Sequence, residues 1–389
     1  MLWAAELLVL LAQDAASPYG WRRDGSGVFP GATPPVEWGE KKNVKWRTAV
    51  GGGHSSPVIA GDRVLVLAEP GTLWCLDRAK GDVVWKAAVG EDLPEDVKKL
   101  VRDLPPGLKE RARATPVTDG ASVWVSLTTG VVARYTMKGT RAWVMHVDPA
   151  PLSYGPSASL VLSGGTLLVD STRLRAHESS SGKPLWRVAA AEPHYGTPAL
   201  LTLDGTPMAV TAKGAVVRLS DGAVLARDVA EGLGGDQAPT PLIDGDVAYF
   251  AYRRCSAVKL SLKEGKVRAE KLWEQELPGD VISSPVLKDG MLFVVPSNVN
   301  EFRILDSKTG KALVEKELDL EQNFYPSLAL AGGVLFLGND KGVTVVLEPG
   351  RVYKELRRNE LPEGSGASPV FHGPNAFLRG GEHLYCVGP

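Results

Sequence analysis

The sequence predicts an eight-bladed β-propeller, an all-β fold in which four-stranded sheets stand in a ring. Two observations support this prediction. A short motif recurs eight times along the 389 residues, and each end of the chain carries part of a second motif. A repeat of about 40 to 45 residues with strand-like content is typical of propeller blades. We therefore expect one closed ring, although the length alone would favour two or three domains.

The first motif places a small residue and a Ser or Thr before a Pro, then an apolar residue, a turn and an apolar run. Runs such as Val64–Leu67 are too short for helices and suit strands that are buried on both faces. The copies cover residues 54–68, 113–127, 157–170, 196–210, 239–252, 283–295, 326–338 and 367–378. The residue in the Pro position, here called the proline slot, is Pro57, Pro116, Leu160, Pro198, Pro241, Pro285, Leu328 or Pro369.

The second motif has a Gly four residues before a Trp, as in Gly81 and Trp85. It resembles the repeat of the quinoprotein-like propeller family, in which the Trp docks each blade against the next. The alternative is that these are ordinary core aromatics. Val314 and Tyr353 replace the Trp in later copies, and the fourth copy is shortened, so we expect weaker docking there. The predicted docking residues are Trp46, Trp85, Trp143, Trp186 and Trp273.

The two ends of the chain complete one another. The last copy stops at 386–389 without its Trp strand, and residues 43–46 form a Trp strand without a blade. An N-terminal strand should therefore close the ring. We assign residues 18–42 to a leader and 43–389 to a single propeller. An insertion near 91–112 predicts a short surface helix, because its acidic residues precede its basic ones; a spacer loop is the alternative.

Composition excludes several classes of protein. The 44 basic and 45 acidic residues give a formal net charge of −1, which offers no field to attract nucleic acid. Cys75, Cys255 and Cys386 have no CxxC spacing, so zinc ribbons and disulfide-stapled folds are excluded. The apolar run within residues 1–17 predicts a signal peptide and a periplasmic or secreted protein. No other segment has the roughly 20 apolar residues of a transmembrane helix. We expect a monomeric ring.

The leader sequence 21–27, the pair Glu37–Trp38 and the segment 53–57 resemble exported bacterial quinone-binding-like propeller repeat proteins. This group is similar to the outer-membrane barrel-assembly factor. The resemblance implies either a non-enzymatic scaffold or a PQQ-dependent quinoprotein dehydrogenase with bound Ca²⁺. Those dehydrogenases carry two adjacent cysteines over the quinone, which this sequence lacks. We therefore expect a scaffold with no catalytic residue, cofactor or metal. A sugar- or peptide-binding module of an envelope complex is a third hypothesis.

Residues just before each proline slot should converge on one mouth of the ring, because the first strand of each blade lines the central channel. This set is rich in aromatic and hydrogen-bonding side chains, which binding surfaces favour. We predict that it binds a protein or small ligand; the alternative is that it fills the channel. The predicted mouth residues are His54, Ser55, Arg113, Tyr154, His194, Tyr195, Gln237, Asn323 and Phe324.

Overall fold

The computed structural model describes residues 19–104, 112–188, 194–231, 235, 237–320 and 323–389. It contains eight β-sheets, each forming one blade. The predicted all-β, eight-bladed propeller is therefore confirmed. The predicted signal peptide and part of the predicted insertion lie outside the described residues. No helix in the described part of the chain is both long and apolar enough to cross a membrane.

Two strands precede the first complete blade, and the four blades that follow are built from consecutive strands. The leader holds β1 (Val28–Phe29), and β2 (Val44–Ala49) follows it. Blade 1 contains β3 (Val58–Ala60), β4 (Arg63–Ala68), β5 (Thr72–Asp77) and β6 (Val83–Ala88). Blade 2 contains β7 (Val117–Thr118), β8 (Ser122–Ser126), β9 (Val131–Thr136) and β10 (Arg141–His146). Blade 3 contains β11 (Val161–Ser163), β12 (Thr166–Asp170), β13 (Leu174–Glu178) and β14 (Pro184–Arg187). Blade 4 contains β15 (Ala199–Leu203), β16 (Thr206–Val210), β17 (Val216–Arg218) and β18 (Val224–Ala226).

The remaining blades repeat this order, and the last of them lacks its own outer strand. Blade 5 contains β19 (Leu242–Asp244), β20 (Val247–Ala251), β21 (Arg254–Lys263) and β22 (Lys266–Glu276). Blade 6 contains β23 (Val286–Lys288), β24 (Met291–Val294), β25 (Glu301–Asp306) and β26 (Ala312–Glu317). Blade 7 contains β27 (Ala329–Ala331), β28 (Val334–Gly338), β29 (Val343–Leu347) and β30 (Glu355–Glu360). Blade 8 contains β31 (Val370–His372), β32 (Asn375–Arg379) and β33 (His383–Val387).

The ring closes through its N-terminal strand, as the split motif predicts. Strand β2 pairs antiparallel with β33, and Trp46 lies opposite Cys386. This pairing makes β2 the outer strand of blade 8. The leader also adds β1 to the inner edge of blade 7, parallel to β27, which gives that blade five strands.

A single short helix, α1 (Glu95–Arg102), lies between blades 1 and 2 in the described part of the insertion. Acidic residues occupy its first turn and basic residues its last, which is the arrangement that the helix dipole favours. Val97 is buried and packs with Leu93 in the core between these two blades. This contact fixes the helix to the rim of the ring.

Most of the core lies within and between the blades. All four residues of Val64–Leu67 are fully buried, because the second strand of each blade packs against a neighbouring blade on both faces. The predicted docking Trp residues lie at such contacts. The Trp46 indole N–H donates to the Arg78 carbonyl at 3.0 Å, and a Cβ added to Gly81 would lie 2.6 Å from the Trp46 ring. The same arrangement places Trp85 over Gly139, Trp143 over Gly182, Trp186 over Gly222 and Trp273 over Gly310.

Candidate functional site: the mouth of the channel

A belt of hydroxyl groups surrounds the channel at the start of the inner strands. In each blade the Ser or Thr before the proline slot is buried. In seven of the eight blades its Oγ accepts a hydrogen bond from the backbone N–H of the corresponding residue in the preceding blade. Ser368 N–H, for example, donates to Ser56 Oγ at 2.9 Å, which joins blade 8 to blade 1. Seven such links are found among the described residues. The belt members are Ser56, Thr115, Ser159, Thr197, Thr240, Ser284, Ser327 and Ser368.

The mouth lies just outside this belt. We define the mouth position as the third residue before each proline slot; none of these eight residues is fully buried. The two residues that follow it are buried in every blade, and the residue before it is buried in six of the eight. The residues at the mouth position are His54, Arg113, Ser157, Tyr195, Ala238, Ile282, Tyr325 and Gly366.

This alternation divides the predicted mouth residues into a set that is at least partly exposed and a set that is buried. His54, Arg113 and Tyr195 occupy the mouth position, and Tyr154 lies in the connection that enters blade 3. Asn323 is half-buried, and its carbonyl accepts a hydrogen bond from Asp340 N–H at 3.1 Å.

The remaining four predicted residues require correction as parts of an exposed surface. Ser55, His194, Gln237 and Phe324 are at most 4 % exposed. The reason is backbone geometry: neighbouring side chains in an extended segment point to opposite sides, so residues next to the mouth position face the core. For these four residues the channel-filling alternative is the better description.

The buried residues hold Tyr195 in place. His194 Nε2 lies 3.2 Å from Asp170 Oδ2, and both side chains are almost completely inaccessible. The backbone N–H groups of Tyr195 and Gly196 both donate to the Gln237 carbonyl, at 2.9 and 3.0 Å. These contacts tie the entry to blade 4 to its neighbours on both sides, so the Tyr195 ring is presented from a fixed backbone.

Tyr195 forms an aromatic pair with Tyr154. The ring centroids are 6.4 Å apart and the planes are inclined by 52°. The Tyr154 backbone N–H donates to the Tyr195 hydroxyl at 3.4 Å, and Ser157 Oγ donates to the Tyr195 carbonyl at 3.2 Å. Although it makes these contacts, Tyr154 is 65 % exposed. The Tyr195 ring therefore supports an exposed aromatic surface at the mouth.

Tyr325 contributes a third ring from blade 7. It is 38 % exposed, and its pKa is raised, first by burial and then by the charges of Asp340 and Tyr154. Tyr325 occupies the mouth position of blade 7, which stands opposite blade 3 in a ring of eight.

The sequence prediction missed Tyr325 and Ile282, which is 37 % exposed at the mouth position of blade 6. The prediction used a loose window before each slot rather than one fixed position. The signal was present, since both residues lie at the same distance from their slots as His54 and Tyr195.

The leader occupies the channel behind the belt. The Trp21 indole N–H donates to Thr240 Oγ1 at 2.9 Å, which brings the leader up to the belt itself. The Arg22 guanidinium donates to the carbonyls of Pro285 and Leu328 at 2.8 and 2.9 Å, and it also bonds leader carbonyls. Arg22 is 2 % exposed, and burial lowers its pKa to about 9. The leader therefore acts as a plug that is anchored by polar contacts.

The residues present do not match a quinoprotein site of the kind that the resemblance implies. Cys75, Cys255 and Cys386 lie in the third strands of three different blades, away from the inner strands that line the channel. All three are buried, and burial raises their pKa values to about 12, 12 and 11. The described residues contain no group of three or more His, Cys, Asp or Glu side chains arranged to hold a metal ion.

Eight blades, repeated Trp docking and closure by an N-terminal strand define the class of PQQ-type repeat propellers. Within this class, the family model described as outer membrane protein assembly factor BamB matches residues 36–153, 128–271 and 269–382. The chain belongs to this family. No curated protein matches the chain by sequence.

Solved structures show the same fold at low sequence identity. BamB from Moraxella catarrhalis is 14 % identical, with 88 % of this chain and 100 % of that chain covered and a TM-score of 0.64. A europium-containing methanol dehydrogenase is 12 % identical, with 98 % and 100 % covered and a TM-score of 0.67. The computationally designed Ika8 protein is 13 % identical, with 88 % and 98 % covered and a TM-score of 0.64. These similarities establish the fold alone.

Proposed function

We propose that the protein is a non-enzymatic scaffold that binds a protein partner at the mouth of its channel. The observation that carries this proposal is the set of tyrosines at the mouth: the exposed rings of Tyr154 and Tyr325, and the half-buried Tyr195 that pairs with Tyr154. Tyrosine is favoured in binding hot spots because it combines a large apolar face with a polar end.

The polar groups of the mouth favour a protein partner over a sugar. His54 Nδ1 accepts a hydrogen bond from Gly366 N–H at 3.0 Å, and the Tyr195 hydroxyl is engaged by the Tyr154 N–H. Hydrogen-bonding groups here are partly used within the ring, so the surface offers mainly ring faces. A sugar with many hydroxyl groups needs a partner for each one that it buries. The side chains of a protein can instead pack on the rings.

Two further considerations support a location in the bacterial envelope for this scaffold. The family model that matches the chain carries the description of an outer membrane protein assembly factor. The apolar N-terminal segment predicts export. We therefore propose a periplasmic or secreted protein that holds other envelope proteins together.

The dehydrogenase alternative is opposed by the leader. Trp21 and Arg22 take up channel space between the inner strands of blades 5, 6 and 7. A quinone cofactor there would need to displace a guanidinium bound to four carbonyl oxygens. We expect no dye-linked oxidation of alcohols or aldose sugars when the purified protein is mixed with PQQ and Ca²⁺. Turnover above background would overturn the scaffold proposal.

The scaffold proposal is tested by crosslinking in the native envelope, followed by identification of the captured protein. The triple variant Tyr154→Ala, Tyr195→Ala, Tyr325→Ala should lose the captured protein and keep its melting temperature. Val352→Ala is the matched control, because Val352 is 68 % exposed in a turn of blade 7 on the opposite face. Val352→Ala should keep capture; if the triple variant also keeps it, the mouth is not the binding surface.

A further inference from the structure

A cavity of about 320 Å³ lies between the leader and the inner strands of blades 8 and 1. It is found at the face of the ring where the inner strands end, opposite the mouth. Its rim residues Pro30, Gly31 and Gly61 are exposed, so the cavity opens to solvent. The volume is at the lower end of the range for ligand cavities, which begins at roughly 300 Å³.

The cavity exists because the leader is anchored to some blades and passes over others. Leader residue Tyr19 exchanges two backbone hydrogen bonds with Thr118 in blade 2, both 2.8 Å. Strand β1 pairs with blade 7, where Leu330 N–H donates to the Gly27 carbonyl at 2.8 Å. Blades 8 and 1 stand between these two anchors. The leader also bonds blade 8 at the turn after β31, where Thr33 N–H donates to the Gly373 carbonyl at 2.7 Å, but this bond leaves the edge of β31 itself unpaired by the leader.

Thr118 and Leu330 are equivalent residues, each the second after its proline slot. The corresponding residues of blades 1 and 8 are Ile59 and Phe371. In each of the four blades this residue pairs with the next strand in the same register, as Leu330 with Leu335 and Ile59 with Val64. Since Thr118 and Leu330 turn their N–H groups toward the channel, Ile59 and Phe371 must do the same.

The lining of the cavity supports this placement. Consecutive residues line it on both strands, 57–59 in blade 1 and 370–373 in blade 8. Successive side chains of a strand point to opposite faces, so a cavity bordered by every residue in turn runs along the strand edge, where backbone N–H and C=O groups lie. Among the described residues, neither Ile59 nor Phe371 has a backbone hydrogen bond to the leader.

We propose that this cavity binds a short extended peptide segment of a partner protein by adding a strand to the inner edges of blades 8 and 1. The leader already binds in this way, because β1 adds as a strand to the equivalent edge of blade 7. The cavity is continuous with that interface. The backbone groups of Ile59 and Phe371 supply the hydrogen bonds.

The side-chain preference follows from the floor of the cavity. Phe29 of the leader and Phe371 of blade 8 meet edge to face with their centroids 5.3 Å apart, and Val370 lies beside them. All three are at most 6 % exposed, so the floor is apolar and rigid. The bound segment therefore carries an apolar side chain, and the site is distinct from the mouth.

The probe for this site is the blocked peptide acetyl-Gly-Val-Phe-amide, which has the sequence of Gly27–Phe29 that docks on blade 7. Added to the full protein, it should bind saturably and slow amide hydrogen exchange of Ile59 and Phe371 by about tenfold, since strand pairing protects inward N–H groups. The same peptide with a methylated Phe backbone nitrogen, which cannot donate, should bind about tenfold more weakly.

Two matched variants locate the peptide. His372→Trp places a large ring at the cavity wall, and Lys288→Trp makes the same change at the equivalent position of blade 6, outside the cavity. We expect weaker peptide binding only in His372→Trp. Equal binding by both variants, or protection at Tyr154 and Tyr195 instead of Ile59 and Phe371, would overturn the proposal. Binding that is insensitive to backbone methylation would overturn the strand-addition mode.

Discussion

The junctions between blades are of two kinds. In the described part of the chain, five junctions hold a docking Trp: 8/1, 1/2, 2/3, 3/4 and 5/6. Each uses one geometry, in which the indole covers a Gly of the next blade and its N–H donates to a carbonyl there, at 2.7 to 3.2 Å. One repeated sequence motif thus produces one repeated contact.

The other three junctions, 4/5, 6/7 and 7/8, each use a different contact. At 4/5 the long β21–β22 hairpin packs Leu260 of blade 5 into the core of blade 4. At 6/7 Tyr353 meets Phe302 edge to face at 6.0 Å. At 7/8 the leader inserts Trp38, which stacks on Phe336 at 6.1 Å.

The comparison shows that a missing docking residue is replaced by material from elsewhere in the chain. Asn359 illustrates the result at junction 7/8, since its side chain accepts from Trp38 N–H and donates to the Val36 carbonyl, both at 3.0 Å. The expectation that these junctions are weaker stays a prediction, and the following experiments measure it.

The largest effect should come from deleting residues 1–50, which removes the leader and the outer strand of blade 8. Strand β33 would then present an unpaired edge, and junction 7/8 would lose Trp38. We expect aggregation, because free strand edges pair with other molecules. Size-exclusion chromatography and light scattering measure it. A stable monomer would show that junction 7/8 does not depend on the leader.

Removing one docking indole should come next. Trp273 is 8 % exposed, so Trp273→Ala should lower the free energy of unfolding by about 3 to 5 kcal/mol. Trp143→Ala should lower the free energy of unfolding by less, because Trp143 is only half-buried. Tyr353→Ala at junction 6/7 should also lower it by less than Trp273→Ala. Urea denaturation measures all three. If Tyr353→Ala costs as much as Trp273→Ala, the two kinds of junction are equally strong.

A smaller effect isolates the contact between the docking Trp and its Gly. A Cβ on Gly139 would lie 2.8 Å from the Trp85 ring, whereas a Cβ on Gly120 meets nothing within 4 Å. Both residues have positive φ, 84° and 86°, so the backbone strain of an Ala is matched. Gly139→Ala should lower the free energy of unfolding by about 1 to 3 kcal/mol more than Gly120→Ala does. Equal losses would mean that the Gly serves the turn alone.

The smallest effect concerns Glu363, in the connection from blade 7 to blade 8. Burial raises the pKa of its carboxyl, but hydrogen bonds from Glu382 N–H and Tyr385 Oη, both 2.7 Å, and from His383 outweigh burial and hold the pKa below its usual 4.5. A depressed carboxyl pKa stabilises the fold above the unfolded-state value, and this contribution is lost as the pH falls through the lower folded-state value.

Glu363→Gln should therefore lower the melting temperature at pH 7 and match the unsubstituted protein more closely at low pH. Glu360→Gln, on the exposed outer strand β30, is the control and should show no such convergence. A melting-temperature difference that is constant from pH 7 to pH 3 would contradict the role of the Glu363 charge.

The repeated features of the fold were predictable because each is local. The motif from Pro57 to Pro369 fixed the blade count, and the fragment ending at Trp46 indicated the closing strand. The mouth was predictable only in part, since side-chain direction changes from one residue to the next and a window of residues mixes exposed Tyr195 with buried His194.

The leader contacts were not predictable from the sequence. Nothing near Trp21 or Arg22 indicates that their partners are Thr240, Pro285 and Leu328, because these contacts join distant parts of the chain and occur once each. A repeat can be detected because it recurs in the sequence, whereas a long-range contact that occurs once produces no sequence pattern.

The closing strand also has a consequence for folding. Val44 pairs with Val387, so β2 is synthesised first and must wait for almost the whole chain before its partner exists. Contacts with such large sequence separation form slowly, and an unpaired strand is prone to aggregation in the meantime. Ring closure by the two ends of the chain thus makes blade 8 the last blade that can be completed during synthesis.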